Sequence, residues 1–282
     1  MLFASFLFAL MLAIAKQLSS NISSVEIVFF RNIFGVIIIL YSIYKIPLKQ
    51  KGGRLLLLIF RGTIGFLSLL TFFYVTSKIP LATAMTFSKT SAIFTALFAY
   101  IFLKETLNYL GWIGVFIGLL GIAFIVNFDI LNLEKTDFLG ILTGIGAAFA
   151  YTSIRELRLY YDNRTIVLSF VLIGTIGPAI LMFIANFYQT QKYDFLISSF
   201  IMPNGFDWLL IILLGIVSTF AQLYMTKSYS VAKAGIVGTI GYSSILFSII
   251  FGIFLGDIIP TFLIILGILL IVISGVLVSF NK

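Results

Sequence analysis

Ten apolar runs limit what this chain can fold into. They lie at 2–18, 25–44, 55–76, 81–103, 109–128, 137–157, 165–187, 207–229, 235–256 and 259–280. Each approaches the roughly 20 helical residues that cross a hydrocarbon core of about 30 Å. The runs are continuous rather than alternating, and inside lipid every backbone group must be satisfied within the segment, so helices are expected and not a β-barrel. Charged residues make up only 10% of the chain, against roughly 25% in soluble domains. The expected fold is an all-α membrane protein of ten transmembrane helices. The first run closes on Ala13-Ile14-Ala15 like a signal peptide, but no basic residue precedes it, and it is read as a retained span.

The chain also repeats itself. A shift of 153 sets Gly62 on Gly215, Ser77 on Ser230, Thr86 on Thr239, Ser91 on Ser244, Phe94 on Phe247 and Phe98 on Phe251. A shift of 139 sets Lys16 on Arg155, Ile27 on Ile166 and Gly35 on Gly174. With the N-terminus inside, eleven basic residues fall in cytoplasmic loops and the tail, against four outside, which fixes the orientation by the positive-inside rule. Five spans per half is an odd number, so the second half enters from the opposite side. The expectation is two inverted five-helix repeats, residues 1–128 and 137–280 joined by 129–136, with a solute site near the midplane of their interface. Both termini are expected in the cytoplasm, and the location is the plasma membrane, as a bacterial inner-membrane protein.

The absences are as informative. There is no cysteine and no histidine, which removes disulfides, thiol chemistry, histidine metal sites and histidine proton relays. No Asp or Glu lies deep in any run, so neither a nucleophile with its base nor paired carboxylates can be assembled, and no enzyme, cofactor or metal is expected. The same absence removes the buried carboxylate that usually binds a coupling ion, which favours uniport or exchange. The net charge of +8 resides largely in the loops and reflects topology, not nucleic acid.

Three cations lie well inside the runs, at least six residues from either end. Lys89 is eight residues into the fourth, about 12 Å deep by the helical rise, where a charge costs at least about 2.5–3.5 kcal/mol and marks a functional position. Thr86, Lys89 and Thr90 share a helical face, and their repeat counterparts are Thr239, Tyr242 and Ser243. Gln222 and Tyr151 add neutral ligands, with helix-helix hydrogen bonding as the alternative role for Gln222. Arg31 and Arg61 lie about 9 Å in from opposite surfaces, shallow enough to snorkel. Arg31 also has Glu26 as a possible ion partner. The two arginines are therefore expected to matter less than Lys89. Glu105 and Asp257 close the fourth and ninth runs, where a carboxylate opposes the helix dipole, so each is expected to pair with a lysine or cap a neighbouring helix.

These residues resemble the EamA-type members of the drug/metabolite transporter superfamily. The resemblance covers the whole chain. It rests on the duplicated five-span unit, Phe29-Phe30-Arg31-Asn32-Ile33-Phe34-Gly35, Arg61-Gly62, Ile79-Pro80-Leu81-Ala82 and the acidic endings at Glu105 and Asp257. Family members often carry a proline where this chain has Ala92 and Ile245, which puts a proline kink there in doubt. The resemblance implies a cavity among spans one, three, four, six, eight and nine, and a small-molecule solute. Set within membrane lipid as a monomer or homodimer, the protein is expected to be a secondary transporter working by alternating access. Its preferred solute is expected to be a small organic anion, a carboxylate or phosphate, held by Lys89. The alternatives are an exporter of neutral or aromatic amino acids or cationic drugs, and a non-transporting membrane scaffold.

Overall fold

The structure, a computed structural model, describes residues 1–48, 50–103, 106–127, 133–188, 193–231, 237 and 240–280, excepting the side chains of 99, 103, 155, 226 and 229–231. Among these residues it is all-helical, with eleven helices in chain order. They are α1 (Leu2–Leu18), α2 (Ser24–Lys45), α3 (Leu55–Lys78), α4 (Leu81–Lys89), α5 (Ser91–Leu103), α6 (Tyr109–Ile125), α7 (Lys135–Leu157), α8 (Asn163–Ala185), α9 (Gly205–Val231), α10 (Ser243–Phe254) and α11 (Phe262–Ser279). Seven segments are long and apolar enough to cross a membrane: α2, α3, α4 with α5 as one run, α8, α11, and the larger parts of α7 and α9. Three further apolar helices, α1, α6 and α10, are shorter.

Local chemistry sets the helix ends. Ser23 caps α2 by accepting from the Glu26 N–H at 3.3 Å, and the Ser23 N–H donates to the Glu26 carboxylate at 2.9 Å, a reciprocal capping box. Asn108 and Asp162 cap α6 and α8 with their side chains. The sequence suggested a fifth span reaching 128. Instead α6 ends at Ile125, and Asn127 takes a left-handed φ of 51°, a conformation asparagine tolerates at helix ends.

The fourth span is interrupted at Thr90 and the ninth at Tyr242, although the chain has Ala92 and Ile245 where family members often carry proline. Side-chain hydroxyls compete for the carbonyls there. The Thr90 hydroxyl donates to Phe87 O at 2.6 Å, Ser243 to Ile240 O at 2.7 Å and Ser244 to Gly241 O at 2.8 Å, the local bonding that loosens a helix.

Packing among the helices follows a pattern. α3 lies on α7 as α1 lies on α9, α3 on α8 as α2 on α9, and α5 on α7 as α1 on α10, while α2 pairs with α8 and α6 with α11. Glycines permit the closest of these approaches. A Cβ on Gly114 would come within 3.0 Å of the α11 backbone, and one on Gly62 within 3.0 Å of Ser169 O on α8. At one end of the bundle, Asp257 joins three elements, since it forms a salt bridge with Lys16 at the end of α1 and accepts from the Leu81 N–H at the start of α4 at 2.8 Å. Lys16 also donates to Ile79 O at 3.1 Å. Asp257 thus both pairs with a lysine and caps a helix, while Glu105 lies outside the described residues.

Candidate functional site

Arg31 on α2 and Arg61 on α3 do not snorkel. They are 6% and 5% exposed, and both guanidinium groups lie over one ring, that of Phe170 on α8, with Cζ 5.8 Å and 4.8 Å from its centroid. Nor does Glu26 serve Arg31. Its carboxylate is taken by Ser23 and, at 2.8 Å, by the Ile201 N–H. Arg31 Nη1 donates to Asn32 Oδ1 at 3.0 Å, and Asn32 Nδ2 donates to Val28 O and to Gly174 O at 3.0 Å, so Asn32 ties α2 to α8 while orienting the arginine. Gly174 leaves room for this, since a Cβ there would sit 2.4 Å from Asn32 Nδ2. Gly65 does the same for Arg61: a Cβ would lie 2.8 Å from Arg61 Nη1 and 3.1 Å from the Phe170 ring.

The electrostatics of this cluster are incomplete. Arg31 Nε and Arg61 Nε and Nη1 are buried without a hydrogen-bond partner, and no carboxylate among the described residues forms a salt bridge with either group. A desolvated cation–π contact contributes about 2 kcal/mol, whereas burying an ion costs several kcal/mol. Two like charges on one ring add repulsion to that deficit. The Tyr151 hydroxyl on α7 lies within electrostatic reach of both guanidinium groups. Beside them, a cleft of about 90 Å³ between α2, α8 and α9 is lined in part by Arg31, Asn32, Phe170, Ser218, Thr219 and Gln222. The structure therefore brings four expected site residues, Arg31, Arg61, Tyr151 and Gln222, to one region.

The other expected residues are elsewhere. Lys89 ends α4 half-buried. It enters no salt bridge among the described residues, and its ammonium points toward the interruption of the ninth span, 3.7 Å from where a Cβ on Gly241 would lie. Thr86 and Thr90 do not share its surroundings as the helical spacing suggested. Both are fully buried, their hydroxyls donate to Ala82 O and Phe87 O, and Thr90 presses on Gly144 of α7, where a Cβ would sit 2.0 Å from its hydroxyl. Tyr242 likewise packs its hydroxyl against Gly275 of α11, and Ser243 bonds back to Ile240 O. Thr239 lies outside the described residues. No cluster among the described residues could hold a metal. Phe170, Gly65 and Asn32 were not picked out from sequence. Asn32 follows Arg31 directly, but nothing in the sequence pairs Phe170 with two arginines on other helices.

Comparisons with known proteins agree with this architecture. Residues 1–127 match the EamA-like transporter family. An uncharacterized transporter of Helicobacter pylori is 36% identical over 99% of this chain and 92% of its own length. The pseudopaline exporter CntI of Pseudomonas aeruginosa is 30% identical over 99% of this chain and 94% of its own. A solved crystal structure with 15% identity superposes at a TM-score of 0.61, covering 97% of this chain and 94% of that one, and so shares the fold. This family consists of membrane transporters rather than enzymes, and the chain belongs to it: it is a member of the EamA-like transporters within the drug/metabolite transporter superfamily.

Proposed function

We propose that the protein carries a small organic anion, with a carboxylate or phosphate group, across the bacterial inner membrane as a uniporter or exchanger. One observation carries this reading: three cations, Arg31, Arg61 and Lys89, lie in the helical interior and none has an acidic partner among the described residues. An intramembrane cation strongly favours a counter-charge. Where the protein supplies none, a solute that brings one gains most by binding there.

The mechanism we infer is alternating access between two inverted five-helix halves, 1–128 and 137–280. The recurrent pairing of helices between the halves, and the interruptions at Thr90 and Tyr242, which nearly correspond under the 153-residue shift, support it. In transporters of this architecture, broken helices line the midplane site. Lys89, held between those interruptions, serves as a charge the solute meets as one half rocks against the other.

The test is solute flux in vesicles reconstituted with the purified protein. Small carboxylates and phosphate esters should exchange across the membrane, and an organic cation of similar size should not. Vigorous transport of cations with none of anions would end this reading.

A further inference from the structure

We propose that Arg31 and Arg61, set about Phe170, form a seat for a doubly charged oxyanion, a dicarboxylate or a phosphate monoester. This rests on the anionic-solute reading above and names the solute more closely. Two guanidinium groups on separate helices share one ring, both more than nine-tenths buried, and three of their N–H-bearing nitrogens lack an acceptor. Asn32 fixes one edge of Arg31 and leaves its Nε unfilled. Gly65 gives Arg61 the space it occupies against the ring.

A single carboxylate would neutralise only one of the two charges. A divalent oxyanion matches both, and the planar guanidinium fork suits paired oxygens where an ammonium would act only as a point charge. Lys89 sits on different elements, beside Gly241, so the seat and the lysine are separable by mutation.

Thermal unfolding of the purified full-length protein in detergent tests this, with succinate, inorganic phosphate, acetate and tetramethylammonium at equal ionic strength. A ligand that binds the folded state raises the midpoint. Succinate and phosphate should raise it clearly more than acetate. Arg31→Gln and Arg61→Gln should each weaken that binding roughly ten- to a hundredfold. Arg61→Lys should restore little, because the fork is lost, and Lys45→Met, which removes an exposed charge in the last turn of α2, should leave it intact.

Stabilisation that survives both glutamine variants, or is lost only in Lys89→Met, overturns the seat and leaves the anionic-solute reading standing. Stabilisation by tetramethylammonium and by no anion overturns both. Phosphatidic acid in the micelles separates the two sources of a phosphate monoester: if it alone stabilises, the position takes lipid and the solute seat falls. Should a glutamine variant fail to fold, Phe170→Leu keeps both charges and loosens their support. It should weaken succinate binding several-fold, and unchanged binding counts against the proposal.

Discussion

Removing the Asp257 carboxylate should loosen the end of the bundle where α1, α4 and α10 meet. The side chains of Lys16 and Asp257 are 20% and 12% exposed, so their salt bridge is neither a solvated surface pair, worth about 0.2–1 kcal/mol, nor a fully buried one, whose breakage costs about 3–5 kcal/mol. An intermediate coupling of about 1–3 kcal/mol follows. Asp257→Asn keeps an acceptor for the Leu81 N–H, so it should lose only that coupling. Asp257→Ala also strips the start of α4 of its cap, which adds about 1 kcal/mol.

The assay is a double-mutant cycle with Lys16→Met, following unfolding of the wild type, both single variants and the pair in mixed micelles. Gly252→Ala offers a check by another route, since its Cβ would lie 2.8 Å from Asp257 Oδ2. If Lys16→Met and Asp257→Asn prove additive within about 0.5 kcal/mol, the contact holds nothing together and the reasoning is refuted.

Other expectations rest on the same geometry. Gly65→Ala should push Arg61 off Phe170 and cost about 1–3 kcal/mol by overpacking, read as a lowered unfolding midpoint together with weakened anion binding; unaltered anion binding would show that Arg61 does not need that space. Gly144→Ala should also destabilise by about 1–3 kcal/mol, because the added methyl meets Thr90 Oγ1 at 2.0 Å, and Thr90→Ser in the same chain should leave much of the loss in place. Asp162, just outside α8, has its carboxyl held below the usual carboxylate range chiefly by the hydrogen bond from Arg164. A depressed folded-state value means its contribution is fully present above the unfolded value near about 4, and is lost as pH falls through the folded one. The acid limb of the stability profile should therefore flatten in Asp162→Asn, and an unchanged limb would contradict this.

Helical class and membrane-spanning character were legible in the chain because they depend on local quantities. Run length against bilayer thickness and the scarcity of charge within the runs need no knowledge of neighbours. The dual role of Asp257 was legible for the same reason, since a carboxylate at a helix C-terminus must find a cation or a free N–H nearby. What depends on neighbours was not. Depth along a helix made Lys89 the obvious charge and let Arg31 and Arg61 seem able to reach water, yet whether an arginine snorkels is settled by what packs over it, here Phe170 and helices drawn close by Gly62 and Gly174. The helical spacing that grouped Thr86, Lys89 and Thr90 says nothing of what each meets: both threonine hydroxyls bond back to carbonyls of their own helix, and that of Thr90 packs on Gly144. Run length alone places Arg31 and Arg61 on apolar helices, while only the packing of α2, α3 and α8 brings the two arginines onto the ring of Phe170.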